Sequence, residues 1–348
     1  MIIQDVEDSE RAIEPTSAGR AFVRQMLSRT AFWIAIIDIG LIVMFGLLSR
    51  GNVFFSLANF QNLALDGAQI VLLSVGAAIL LSAGEFDISI GANVVLSSVV
   101  AGLTVASLPE WSGVSLVILG GLVGMLVGAT VGLMNGLIVT RLKINSLIGT
   151  LGTLGIVTGT ANILTGGADV PGIPGSLQME FGTNYLWGLF PIPALLTLTV
   201  AALAWVVMSK TRFGLHTLAT GSSRTAADRA GINTAAHLTV LYVIVGSLSG
   251  LAALTDISRF STTNIAGHQI DSLSAIVGAV IGGTSLFGGR ISVWGAPIGA
   301  MLAVILQAGL VVLGFPPFYQ LIAIGIVLLI AVYMDEARAS RSGVLAKK

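Results

Sequence analysis

Four stretches of this chain carry no charged side chain: residues 114–140, 144–168, 181–208 and 291–334. A helix needs about 20 apolar residues to cross a bilayer, and hydrocarbon makes every unpaired backbone N–H or C=O costly. Runs this long and continuous fit a bundle of spanning helices, because a transmembrane barrel needs short alternating segments. The last run holds two such helices, divided at Gly314-Phe315-Pro316-Pro317. Charged residues make up only 10% of the 348, against about 25% in soluble domains, so the bulk of the chain is embedded in lipid.

Hydropathy therefore predicts an all-α polytopic membrane protein of about ten spans. They centre near residues 31–48, 63–83, 91–108, 114–140, 146–165, 191–208, 238–257, 272–287, 294–313 and 318–334. Basic residues follow the fourth, sixth, eighth and tenth spans: Arg141 and Lys143; Lys210, Arg212, Arg224 and Arg229; Arg290; then Arg338, Arg341, Lys347 and Lys348. Arg20, Arg24 and Arg29 precede the first, so both termini and the 209–236 loop are expected in the cytoplasm, with Arg50 and Arg259 as exceptions. The domain reading is a polar cytoplasmic lead-in over 1–30, a transmembrane domain over 31–335 and a cytoplasmic tail over 336–348. The lead-in carries acids before its arginines and no apolar stretch, unlike a signal peptide. The 166–190 loop, long for a connector, faces outward as an aromatic-anchored link or a docking surface. Glycines 120, 124, 128, 132 and 136 fall at the spacing that lets helix backbones approach closely in lipid.

Residues 84–91 read Gly-Glu-Phe-Asp-Ile-Ser-Ile-Gly, two acids between apolar runs with no basic residue within thirty positions. They form either a water-exposed turn or a break in a discontinuous helix lining a pathway, as in transporters. On the second reading Glu85, Asp87, Ser89 and Gly91, with Asn135, are the pathway candidates. The stretch 87–92 recurs approximately at 290–296, which suggests an internal repeat. Asp38 and Asp66, in or at the edge of spans, pair with basic groups or face water.

Several chemistries are missing. The three histidines, His216, His237 and His268, are scattered near span edges, and no metalloprotease, serine-hydrolase or paired-carboxylate pattern occurs. Cysteine is absent, which excludes thiolate metal sites and cysteine nucleophiles. None of the four lysines follows a glycine, so no phosphate-cradling loop exists. Zero net charge implies no nucleic-acid partner. The reading is a transport protein without catalytic residues, metal or cofactor, powered by an ion gradient or by a separate subunit. Within the cytoplasmic loop, residues 222–230 are helix-compatible and Gly231 is a natural terminator. Ala226 and Ala227 leave a small-residue surface beside Arg224, Asp228 and Arg229. Such a segment is either a solvated loop helix or one that docks into a partner's groove.

Three stretches resemble the ribose permease family, the membrane subunits of bacterial sugar ABC importers. They are residues 84–91, the 221–233 loop reading GSSRTAADRAGIN, and 271–289 reading DSLSAIVGAVIGGTSLFGG. The likeness runs from about residue 58 to 334. It departs at Glu85 and Ile291, where the family usually has glycine, and at Ala296, usually threonine. The resemblance implies that Gly221, Arg224, Ala226, Ala227, Arg229, Gly231 and Ile232 belong to an ATPase-coupling loop. It also implies the partners: a second permease subunit, identical or similar, a cytoplasmic ABC ATPase, and a periplasmic or lipid-anchored sugar-binding protein. Solute would cross at the permease dimer axis in the bacterial inner membrane, with selectivity resting mainly on the binding protein. The same architecture serves importers of amino acids, nucleosides and signalling molecules. From the residues alone, an ion-coupled secondary transporter using Asp38, Asp66 and Asp87 stays open.

Overall fold

The computed structural model describes residues 30–341. The lead-in, apart from Thr30, and the end of the tail lie outside the described residues. Among the described residues, eight helices are long and apolar enough to cross a membrane. They are α1 (Thr30–Leu48), α2 (Leu57–Ser82), α4 (Gly113–Thr140), α5 (Ser146–Thr165), α6 (Ile192–Lys210), α9 (Thr234–Phe260), α11 (Gly295–Val312) and α12 (Phe318–Arg341). The other two predicted spans form shorter apolar helices, α3 (Ile90–Ala106) and α10 (Asp271–Ile281). Between α6 and α9 lie α7 (Arg212–Ser222) and α8 (Arg224–Arg229). The 166–190 loop holds a small hairpin, Tyr185–Leu186 paired with Phe190–Pro191. The chain is thus a polytopic all-α membrane protein.

The centre is α2, buried without interruption from Ile70 to Ala83 and packed by α6, α9, α10 and α11. Peripheral helices turn large apolar side chains outward, among them Leu126, Ile163, Leu203 and Leu329. In lipid, apolar burial does not drive helices together, so contact must come from shape. The glycine stripe of α4 supplies it. A Cβ at Gly124, Gly128 or Gly132 would fall 2.5, 2.1 or 2.2 Å from the carbonyl oxygen of Gly250, Gly246 or Tyr242 on α9. Small residues on both sides thus bring the two backbones together along most of their length.

Two breaks organise the middle of the bundle. The first, 84–89, begins where Gly84 takes φ +78 after α2. Backbone freed from a helix at membrane depth must find partners inside the protein, and here it does. Phe86 N donates to Ser146 Oγ (3.3 Å) and Ile88 N to Thr150 Oγ1 (3.1 Å). Tyr242 Oη donates to Phe86 O (3.0 Å) and Ser272 Oγ to Ile88 O (2.8 Å). The second break, 261–270, follows α9, which ends at Ser261 in the left-handed region.

The two helices that follow these breaks leave them in opposite directions. Gly102, late in α3, lies against Thr263, Ile173 and Val170, so α3 heads for the end carrying the 166–190 loop. Residues 288 and 289, after α10, lie against Gly221 and Ser222, so α10 heads for the end carrying α7 and α8. Their starts meet where Gly91 N donates to Ser272 Oγ (2.9 Å). The repeat seen in sequence pairs 87–92 with 290–296, and both stretches do open helices. The partner break in depth, however, is 261–270, which shares no clear sequence likeness with 84–89.

Candidate functional site

The pathway candidates separate into two groups. Asp87 accepts from Ser89 N (2.8 Å), Ser89 Oγ (2.6 Å) and Asn135 Nδ2 (3.1 Å), and Asn135 Nδ2 also reaches Ser89 Oγ (2.8 Å). Asp87, Ser89 and Asn135 are all buried. This network ties α4 to the start of α3, with the Asp87 carboxylate holding Ser89, the residue that precedes the helix. Gly91 sits at the crossing of α3 and α10, where a Cβ would meet His268 O at 2.4 Å.

Glu85 belongs elsewhere. It is buried and forms an ion pair with Arg224 of α8, 139 positions away in sequence. The water-exposed turn is therefore not what forms: the basic partner missing from the neighbouring sequence comes from the loop. Glu85 and Arg224 border a cavity of about 660 Å³ at the α7–α8 end, with Lys143 and Thr234.

The loop itself is built as its composition suggests. Ser223 caps α8 by accepting from Ala226 N (3.3 Å), Gly231 follows its end at φ +86, and Asp228 accepts from Thr234 Oγ1 (2.7 Å) at the start of α9. Gly221 packs against the ends of both halves: its Cβ would meet Ser82 O at 2.0 Å and Gly289 N at 2.7 Å, and Gly289 N donates to Ser82 O (2.9 Å). One expectation needs correcting. The two alanines were expected to offer an outward surface together, but successive residues on a helix point about 100° apart. Ala226 is exposed, whereas Ala227 is buried in its own chain. Arg229 is exposed and Ile232 half-buried.

A second polar cluster lies on the other side of the Gly91–Ser272 contact, and sequence reading missed it. Asp271 Oδ2 is 2.7 Å from His268 Nδ1 and accepts from Gln69 Nε2 (2.7 Å). His268 Nε2 stands 3.4 Å from Asp256 Oδ2. The carboxylates of Asp256 and Asp271 thus flank the imidazole from both of its nitrogens. Gln69, Asp256 and Asp271 each lie in or at a helix and His268 in a loop, so no local spacing joins them. The available signal was Asp256 near Arg259, two charges at the end of a span. Arg259, an exception to the charge asymmetry, pairs with Asp66.

Asp38 is buried in α1 with Oδ1 lacking a hydrogen-bond partner. Asp38, Asp66 and Asp87 therefore do not gather. Among the described residues no group of acids and histidines is arranged to hold a metal ion.

Residues 59–332 match the family described as the permease component of the branched-chain amino acid transport system. The ribose import permease protein RbsC of Bacillus subtilis is 34% identical over 284 residues, covering 81% of this chain and 86% of that protein. RbsC of Haemophilus influenzae is 30% identical over 86% of this chain and 91% of its own length. The autoinducer 2 import system permease protein LsrC of Yersinia pestis is 31% identical over 85% of this chain and 81% of its own. No solved structure matches the chain. With the match spanning nearly all the described helices, the chain belongs to this family of transport-system permeases and is a multi-pass protein of the bacterial inner membrane.

Proposed function

We propose that the chain is the membrane-spanning subunit of an ATP-binding-cassette importer that admits a small polar solute of the monosaccharide type. A separate cytoplasmic ATPase supplies the energy, a second permease completes the pathway at their common axis, and a periplasmic or lipid-anchored binding protein delivers the solute. This chain has no ATPase site of its own. The relatives named for ribose and autoinducer 2 support a polar, hydroxylated cargo over a branched-chain amino acid.

The observation that carries this reading is the seat of the α7–α8 loop. Gly221 touches the end of α2 and the turn before α11, and Arg224 grips Glu85 in the first break. A push on α8 then reaches α2 and the turn before α11 without crossing a flexible linker. Each break together with the helix after it carries the chain across the bilayer. Counted so, the chain crosses ten times and returns both termini to the α7–α8 side, which the basic residues make cytoplasmic. The two breaks enter from opposite faces, which supports an inverted internal repeat.

Crosslinking tests the coupling. The chain contains no cysteine, so single cysteines can be introduced at exposed Ser223 and at exposed Gly175 on the other face. In the assembled importer Ser223→Cys is expected to crosslink to the ATPase and Gly175→Cys is not. The reverse pattern overturns both orientation and coupling. Sugar uptake by the isolated chain, driven by a proton or sodium gradient, would overturn the ATP-driven reading.

A further inference from the structure

A cavity of about 700 Å³ opens at the α7–α8 end, where the chain passes from α6 into α7. Its wall combines Ala31 at the start of α1, Trp205 near the end of α6, Leu215 and Leu218 of α7, and Arg290 and Trp294 before α11. Helix α1 packs chiefly on α11, so a gap remains between its start and the end of α6, and the cavity occupies it. Three large apolar side chains of the wall are turned outward: Trp205 is 38% exposed, Trp294 43% and Leu215 65%. Cations flank them. Lys210 Nζ lies 5.7 Å from the centre of the Trp205 ring, and Arg212 follows the lining residue Thr211. Arg290 is held by Asp335 (3.0 Å) with 54% of its side chain still exposed. Among the described residues no acid lines the cavity, and neither Lys210 nor Arg212 forms an ion pair. We propose that this cavity binds an anionic phospholipid, with its phosphate against the basic rim and the start of its acyl chains against Leu215 and the two tryptophans.

The wall selects the ligand. Exposed indole rings and Leu215 form a surface that acyl carbon covers better than water does, so a purely soluble anion would leave it bare. Tryptophan collects at the membrane–water interface because its ring body is apolar and its N–H is polar. Trp205 and Trp294 therefore mark the level at which headgroups lie. Basic pockets between spanning helices at that level take anionic headgroups. Here the cations come from three places, the end of α6, the start of α7 and the turn before α11, and stand at or next to one opening. A zwitterionic lipid offers the same phosphate but adds an ammonium, which those cations repel. The position gives the ligand a consequence. Leu215 and Leu218 belong to α7, whose Gly221 rests against Ser82 O and Gly289 N, so a lipid lodged beside α7 braces the segment that carries α8. The inference goes beyond the import reading and holds for any solute.

Native mass spectrometry of the complete, delipidated importer tests the proposal, with phosphatidylglycerol and phosphatidylethanolamine of matched chains as probes. Phosphatidylglycerol is expected to bind at about tenfold lower concentration than phosphatidylethanolamine, and to raise the melting temperature more. Lys210→Gln combined with Arg212→Gln is expected to weaken phosphatidylglycerol by about 30-fold, the loss of two basic groups beside a membrane surface, and to leave phosphatidylethanolamine unchanged. Leu215→Ser, at an exposed position, is expected to weaken both lipids alike, and it decides the question if the double variant fails to assemble. Equal binding of the two lipids by the wild type, a preference that survives the double substitution, or unchanged binding in Leu215→Ser overturns the proposal. Inorganic phosphate or glycerol phosphate that displaces phosphatidylglycerol and stabilises as well as it does would assign the cavity to a soluble anion and overturn it likewise. Uptake measured on the same preparations keeps the two readings apart, because ATP-driven uptake without any lipid preference refutes this site and leaves the import reading standing.

Discussion

Replacing Gly91 with alanine is the sharpest probe of the crossing between α3 and α10. The added Cβ would lie 2.4 Å from His268 O and 3.1 Å from Ser272 Oγ. An unstrained carbon–oxygen contact requires roughly 1 Å more, and the obstructing oxygen is backbone, which cannot swing away. Relief must come from parting α3 and the 261–270 segment. That separation strains two hydrogen bonds, Gly91 N to Ser272 Oγ and Ser272 Oγ to Ile88 O. Each leaves buried groups unpaired at about 1–3 kcal/mol, so the cost is about 2–6 kcal/mol in the closed arrangement. At 1.4 kcal/mol per decade this shifts the balance away from closure by about 30- to 20,000-fold. The protein should still reach the membrane, because the glycine seam between α4 and α9 is untouched. Two measurements check this: sugar uptake by the complete importer, expected to fall at least about tenfold on that energy, and thermal unfolding of the purified chain. Valine should act in the same direction and more strongly. Wild-type uptake and stability for Gly91→Ala would refute the reasoning, since the contact would then be slack.

Three further outcomes follow from the loop and the outer cluster. Glu85→Gly restores the residue usual in the family, and on that pattern it should be harmless; the pair with Arg224 instead predicts loss of coupling between ATP hydrolysis and uptake. Stability should change by no more than about 1 kcal/mol because Arg224 is half exposed, and the Glu85→Gly/Arg224→Ala double variant should be no worse than either single, whereas additive losses would show that the pair is idle. Ala226→Trp, on the exposed face of α8, should abolish assembly with the ATPase at unchanged melting temperature; Ala227→Trp should lower that temperature because it overpacks its own chain, and Arg229→Ala should do much less than either. Asp256→Asn removes a buried carboxylate that faces His268 and should lower the melting temperature, whereas an unchanged melting temperature would show that the pair adds nothing to stability.

How much of this was legible in the sequence depended on whether the signal was local. Uncharged runs and glycines four apart are properties of one segment, and they located the long helices and the α4 side of the seam, whereas α9 as its partner came only with the fold. The loop helix 224–229 and its glycine stop were equally local. Glu85 was legible as an anomaly but not as half of a pair, because Arg224 lies 139 positions away and only the fold of α7 onto the end of α2 brings them together. α3 came out close to its predicted span, but α10 stops at Ile281, short of the predicted 287, where Gly283 at φ +102 turns the chain. The unwound 84–89 stretch was hidden for a related reason, because the polar side chains that satisfy its backbone, Ser146, Thr150 and Tyr242, come from other helices. The outer cluster was the least visible of all, assembled from α2, α9, the 261–270 loop and α10. A lone histidine in a loop carries no pattern. It acquires meaning once Asp256 and Asp271 close around it. Like the Asp87–Ser89–Asn135 network, this cluster joins separate elements, with Gln69 of α2 added to α9, the 261–270 loop and α10, so tertiary packing alone brings its members together and no window of the sequence could have shown them side by side.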